Sequence, residues 1–287
     1  GPPVSPIKCH SFFRCTKMNE SSSSQSRPCV LVFSGLDPSG GAGIGADIEA
    51  IGATGAHALS VITALTVQDN DKVYAVNSVD ADIIARQADV LIQKIPVAAV
   101  KIGIVGNRAN AETIADVIRR LRQKQPDLPL VLDTVLGSGH GFALSDGLPE
   151  YALSPLIGLA TLITPNLPEA KRLYPRSDDI EEQAKYLLSL GARDVLVKGG
   201  HGNDVNSVVN CWFTGNRSKE WKWTRIGGEF HGTGCTLASA IAGYLACGMS
   251  MEVALEKGQE LTQTALAKAF SVADGQKIPG RHICREF

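Results

Sequence analysis

Short runs of β-branched and other apolar residues alternate with amphipathic stretches from Cys29 onward. The runs Val30–Ser34, Leu59–Leu65, Ala99–Val105, Leu130–Leu136, Ala160–Thr164 and Asp194–Lys198 read as strands. Between them Ile44–Gly55, Asp82–Lys94, Ala111–Gln125, Pro165–Leu173 and Ile180–Leu190 read as helices. Val131-Leu-Asp and Val195-Leu-Val are almost continuously apolar, as strands buried on both faces must be. Strands and helices in alternation predict an α/β fold of three α/β/α layers around a mostly parallel central sheet. Past Lys198 the rhythm changes to Val208–Phe213 and Trp221–Ile226, separated by Thr214-Gly-Asn-Arg. That pattern predicts an antiparallel hairpin closing one edge of the sheet. Two helices, Cys235–Ala246 and Met251–Phe270, complete a single domain spanning residues 29–287.

The bulk composition narrows the class without deciding it. Hydrophobic residues make up 44% and charged residues 20% of the 287, ordinary proportions for a globular chain. A formal charge of -1 argues against a nucleic-acid-binding surface. No apolar run is long enough to span a membrane. Seven cysteines, at 9, 15, 29, 211, 235, 247 and 284, are scattered with no Cys-x-x-Cys pair. They fit reduced cytoplasmic thiols better than disulfides or a zinc site. Residues 1–28 carry the run Ser21–Ser24, scattered bases and Glu20 as their one acid. This segment is expected to be a flexible extension, either a tag, a leader or a transit-like presequence that would make the location organellar.

In an open parallel sheet, ligands bind beyond the carboxyl ends of the strands. Nearly every strand here ends in a polar or glycine-rich turn: Ser34 through Asp47, Thr66 to Asp69, Lys101-Ile-Gly103, Asp133 to Gly141, Thr164 to Glu169, and Lys198-Gly-Gly-His201. The most informative turn is Phe230-His-Gly-Thr-Gly-Cys-Thr236, which opens a helix. Gly232 and Gly234 let successive N–H groups converge, and the helix dipole favours an anion there. The same field biases the Cys235 thiol toward thiolate. The alternative for Cys235 is small core filler, the reading given to Cys29, Cys211 and Cys247. Asn166 and Glu169 have the spacing of a capping box, or of a magnesium site held through water. Asp133, at the end of an apolar strand, is a second metal–phosphate candidate. Lys198 and Lys101 are phosphate contacts or snorkelling stems. His140, His201 and His231 fit no metal spacing and read as polar lining. Gly41-Ala-Gly43-Ile-Gly-Ala46 lacks the acid that a dinucleotide fold needs about 20 residues on, and no Walker A lysine follows any glycine run.

These turns, in this order, resemble the ribokinase superfamily of non-Walker ATP-dependent kinases. Within it they are most similar to the hydroxymethylpyrimidine/phosphomethylpyrimidine kinases of thiamine biosynthesis. The matching segments are Gly35 to Asp47, Val61 to Gln68, Lys101-Ile-Gly103, Leu132-Asp133, Thr164 to Glu169, Lys198 to His201 and His231 to Thr236. The resemblance implies a ribokinase-like fold, ATP as co-substrate, Mg²⁺ and a homodimer. It makes Gly232, Thr233 and Gly234 the anion hole for the phosphoryl group and Cys235 a catalytic residue. Cysteine there replaces the catalytic aspartate of most relatives and is typical of the pyrimidine kinases. Gly35, Asp37, Asp47 and Gln68 would face the aminopyrimidine alcohol. Asp133, Asn166, Glu169 and Lys198 would bind ATP, with Asp133 and Glu169 on the metal.

The chain also departs from the family pattern. Asp133-Thr-Val-Leu-Gly-Ser-Gly-His-Gly141 has no lysine where pyrimidine kinases carry a lysine-containing loop, and the tail Gly275 to Arg281 is extra. A divergent subgroup is the expectation. The alternatives are a pyridoxal or pyridoxine kinase, and a pyrimidine-sensing relative without turnover.

Overall fold

The computed structural model describes residues 26–136 and 149–282. Among the described residues, nine strands form one sheet in the order β3-β2-β1-β4-β5-β6-β7-β8-β9. The parallel strands are β1 (Cys29–Leu36), β2 (His57–Gln68), β4 (Ala99–Ile102), β5 (Leu130–Leu132), β6 (Leu162–Ile163) and β7 (Asp194–Val197). The expected hairpin is β8 (Ser207–Thr214) with β9 (Arg217–Thr224), antiparallel to β7 and to each other. Its turn is tighter than the sequence suggested, because Gly215 adopts φ +54° and lets β9 begin at Arg217. The opposite edge is closed by β3 (Val73–Ser78), antiparallel to β2, which the sequence reading left unassigned.

Helices cover both faces. Helices α1 (Gly43–Thr54), α7 (Thr233–Ala246) and α8 (Met251–Ala267) pack together on one face, with α7 against β1, β4 and β5. The chain of contacts from α2 (Ala81–Lys94) through α3 (Arg108–Lys124) to α4 (Pro149–Ile157) covers the other face. Helices α5 (Leu167–Leu173) and α6 (Ile180–Ser189) pack as a pair, with α6 against β7. Alternate residues of each central strand enter different cores. Leu31, Phe33, Val100, Ile102, Leu130, Leu132, Ile163, Val195 and Val197 join the α2/α3 core. Val30, Val32, Ala99, Val131, Leu162 and Leu196 join the α7 core. This two-sided burial is why these strands read as continuous apolar runs. The chain leaves β1 toward β2 on one side and β4 on the other, so the crevice for a ligand opens at the carboxyl ends near β1 and β4.

Candidate active site

Strand periodicity carries the apolar pattern directly into a polar row. Side chains two residues apart share a face. One step beyond the last apolar residue on the α7 face lie Ser34 on β1, Lys101 on β4, then Asp133, Thr164 and Lys198 just past β5, β6 and β7. Ser34, Lys101, Asp133 and Thr164 are at most 2% exposed, and the Lys198 side chain is 14% exposed. Their hydroxyls and charges pair along the row: Thr164 Oγ1 donates to Asp133 Oδ1 at 3.1 Å and Lys198 Nζ donates to the same oxygen at 3.2 Å.

Helix α7 starts above this row. Gly232 is its N-cap at φ +91°, and Thr236 N–H is the first to close onto a carbonyl, Gly232 O, at 3.0 Å. Thr233, Gly234 and Cys235 therefore lie ahead of the helical ladder with their N–H groups at the positive end of the dipole. A Cβ on Gly234 would lie 3.1 Å from Lys198 Nζ and 3.7 Å from Asp133 Oδ2, so an anion in the turn meets a cation at once. Burial works against the Lys198 ammonium, but Asp133 and Glu169 outweigh it and hold its pKa above the usual lysine range.

Cys235 corrects the thiolate expectation. The residue keeps an accessible edge, yet its sulfur lies deep among protein atoms. Burial pushes the thiol up to about 11, with Asp47 and Asp133 adding to the rise and Lys101 and the Gly43 N–H only partly opposing it. Desolvation and nearby carboxylates outweigh the helix dipole here. Because the pKa is raised, the proton is retained until pH approaches 11. Iodoacetamide labelling of Cys235 is accordingly expected to be slow near neutrality and still accelerating above about pH 9. A rate already flat at about pH 8 would show a thiolate instead.

On the β1 side the glycine-rich loop is organised by Asp37. Its Oδ1 accepts from Ser39 N–H at 2.8 Å, and Oδ2 from Ser39 Oγ at 3.0 Å and Ala42 N–H at 2.8 Å. His231 Nε2 reaches the same Oδ2 at 2.7 Å, tying this loop to the residue before the anion turn. Burial opposes ionisation of Asp37, but the bonds from His231, Ser39 and Ala42 hold its carboxyl below the usual range. The carboxylate is 3% exposed, and its bonds go to its own loop and to His231, so Asp37 shapes the loop beside the anion turn. Asp47 differs. Its Oδ1 accepts from Lys101 Nζ at 2.8 Å and Ser239 Oγ at 2.6 Å, while Oδ2 is buried with no partner among the described residues. Gln68, at the end of β2, donates from Nε2 to Thr66 Oγ1 at 2.6 Å. Gly35, near the end of β1, lies against Ile104.

On the β6 side the capping box is real: Glu169 N–H donates to Asn166 Oδ1 at 2.8 Å and Asn166 N–H to Glu169 Oε1 at 3.0 Å. Burial and then the charge of Asp133 push Glu169 up to about 7, against the pull of Lys198. His201, beyond β7, is held below its usual range by burial and by the charges of Lys198 and Arg225.

The structure thus brings Asp133, Glu169, Lys198 and the Gly232–Cys235 turn close together, with Asp47 buried beside them on Lys101. Lys101, read from sequence as surface stem or phosphate contact, is a fully buried partner of Asp47. The core-filler reading holds for Cys211 but not for Cys247, which is exposed. His140 and residues 137–141 of the lysine-free loop lie outside the described residues. Arg281 was missed: it is 1% exposed and bonded to both glycine-rich turns, although its sequence context carries only a Pro-Gly signal. No group of three or more metal-ligating His, Cys, Asp or Glu side chains occurs among the described residues. None of the described helices is long and apolar enough to cross a membrane.

A family model described as phosphomethylpyrimidine kinase matches residues 37–279, ending short of Arg281. The chain belongs to the phosphomethylpyrimidine kinase family. A hydroxymethylpyrimidine/phosphomethylpyrimidine kinase of Rhizobium meliloti is 36% identical over 263 residues, spanning 89% of this chain and 97% of that protein. The thiamine biosynthesis bifunctional protein ThiED of Geobacter sulfurreducens is 35% identical over 262 residues, which cover 90% of this chain and 52% of that protein. The chain thus spans about half the length of that bifunctional relative. An ADP complex of Bacillus subtilis pyridoxal kinase superposes with a TM-score of 0.80 at 28% identity, over 89% of this chain and 98% of that one. The fold is therefore ribokinase-like, as the strand-end turns implied, and the phosphomethylpyrimidine kinase family is a family of phosphotransferases.

Proposed function

We propose that this protein is an ATP-dependent kinase that phosphorylates 4-amino-5-hydroxymethyl-2-methylpyrimidine, and then its monophosphate, in thiamine biosynthesis or salvage. The observation that carries this reading is the Gly232–Cys235 turn set against Lys198 and Asp133, which a Cβ on Gly234 would meet at 3.1 and 3.7 Å, in a chain of the phosphomethylpyrimidine kinase family. Gln68 offers an aminopyrimidine an amide with both donor and acceptor atoms. The monophosphate is already an anion, so the second transfer needs no base.

Phosphoryl transfer runs through a loose transition state, in which positioning and charge neutralisation carry most of the rate. The Thr233, Gly234 and Cys235 N–H groups and Lys198 bind the phosphoryl oxygens. Asp133 and Glu169 would hold a magnesium ion through water, because desolvation and the charge of Asp133 make Glu169 costly to ionise and a dication relieves that cost. When bound, Mg²⁺ supplies charge neutralisation at the ATP phosphates. Cys235 enters as a thiol in the ligand-free protein, so it takes the hydroxymethyl proton only after releasing its own to solvent.

The test is an ATP-consumption assay with the aminopyrimidine, its monophosphate and the B6 vitamers. Turnover of both pyrimidines supports the reading. The similarity to a pyridoxal kinase makes pyridoxal the second candidate, and preference for it would overturn the pyrimidine assignment. Tight pyrimidine binding without ATP use would mark a sensor. Cys235→Ala is expected to slow transfer to the alcohol by about 100-fold, the lower end for loss of a general base, and transfer to the monophosphate far less. Equal losses on both substrates would remove Cys235 from proton transfer. The same reading takes residues 29–287 as one cytoplasmic kinase domain acting as a homodimer, with residues 1–28 as an extension. Sedimentation of the intact chain tests the dimer.

A further inference from the structure

The tail after α8 reaches the site through Arg281, the one buried charge among its described residues. Gly280 N–H donates to Ala265 O at 2.8 Å, Ile278 and Phe270 exchange backbone bonds, and His231 N–H donates to Lys277 O at 2.9 Å. Asn70, beyond Gln68 on the β2–β3 turn, donates from Nδ2 to Asp274 O and Gln276 O at 3.1 Å each. These bonds deliver Arg281 to the junction of the two glycine-rich turns. Its Nη2 donates to Gly40 O at 2.8 Å and its Nη1 to Gly41 O at 3.0 Å. Nη1 also donates to Thr236 Oγ1 at 3.2 Å, and that hydroxyl donates to Gly232 O at 2.8 Å. Nε pairs with Glu49 Oε2 on α1 at 2.9 Å.

The division of labour is complementary. Asp37 gathers N–H groups of the first loop, while Arg281 gathers its carbonyls and, through Thr236, the carbonyl of the anion-turn cap. Burying a guanidinium is expensive unless every donor is used well. Here its bonds go to the carbonyls that set the relative position of the two turns. Gly41 O, held by Arg281, is also the atom a Cβ on Gly232 would strike.

We propose that Arg281 is a positioning residue for phosphoryl transfer, clamping the Gly40–Gly41 loop onto the Gly232–Cys235 anion turn. This rests on the kinase reading above. The test compares Arg281→Ala and Arg281→Lys with wild type and with Lys277→Ala, whose tail pairing uses only its backbone. Turnover is counted per ADP-binding site, so that unfolded molecules do not enter. Arg281→Ala is expected to lose about 100-fold in kcat, the scale of a misplacement of about 1 Å, with little change in KM. Arg281→Lys, which keeps the charge but not the fork, recovers part of the loss, and added guanidinium ion recovers part of it in Arg281→Ala. Unchanged per-site kcat in Arg281→Ala overturns the proposal, as does a loss appearing only in KM. If Arg281→Ala does not fold, Arg281→Lys decides by the same two readouts. Hydrogen exchange separates this from the substrate question. Amides of residues 40–46 and 232–236 should exchange faster in the variant even if wild type turns over no pyrimidine, and unchanged exchange there overturns the clamp independently.

Discussion

Gly232→Ala is expected to cut phosphoryl transfer by about 100- to 1,000-fold, the cost of losing a preorganised anion-hole donor. The backbone at this N-cap has φ +91°, a left-handed conformation that costs an L-residue about 1–2 kcal/mol. The larger problem is contact. A Cβ would lie 1.9 Å from Gly41 O and 2.8 Å from its carbonyl carbon, so one turn must retreat from the other. Retreat rotates the Thr233, Gly234 and Cys235 N–H groups away from the point on which they converge. The strain is local, and overpacking of this kind costs about 1–3 kcal/mol in stability. The variant should therefore fold, melt a few degrees lower and still bind the pyrimidine. Thr233→Ala keeps the N–H and should stay within about tenfold of wild type on the same scale. Calorimetry of pyrimidine binding alongside kcat checks both. A Gly232→Ala protein with near-normal kcat would show that the turn does not hold the transferred group.

The legibility of this architecture follows from burial. Five of the six parallel strands were visible because both faces of each are buried, and β2 because its buried residues alternate; their carboxyl ends marked the site because polar residues there have no packing reason to exist. β3 was not visible, since Val73–Ser78 is only half buried and its alternation is weak. The run Gln68-Asp-Asn-Asp-Lys72 before it is a turn signal that could have found the edge. In the site, residue types and order exposed the anion turn and the acids. Electrostatic state did not follow from them. A helix N-terminus argued for a thiolate at Cys235, but Asp47 and Asp133, brought close only by folding, and desolvation reverse the sign. Likewise nothing in the sequence showed that His231, 194 residues away, reaches Asp37 Oδ2. Arg281 was invisible for the same reason, because its partners lie on three other elements.

The second large effect is expected at Lys101. Lys101→Met removes the cation paired with Asp47, where both side chains are 0% exposed. Breaking a buried pair from one side costs about 3–5 kcal/mol, because the remaining charge has no water to turn to. At about 2–4 °C per kcal/mol for a domain of this size, the melting temperature should fall by roughly 10 °C. Ser239 Oγ still donates to Asp47 Oδ1 at 2.6 Å, which softens the loss without supplying a charge. Lys101 also restrains the pKa of Cys235, so labelling of that thiol should slow further. The discriminating variant is the double change Lys101→Met with Asp47→Leu. An apolar pair of similar volume is often neutral in a core, so much of the stability should return. Pyrimidine binding should return with it, because both side chains are 0% exposed and neither is open to a ligand. Restored stability without restored binding would give Asp47 a part in recognition of the ring. Recovery of neither would mean that Lys101 is held for Asp133, whose charge also acts on it, more than for Asp47.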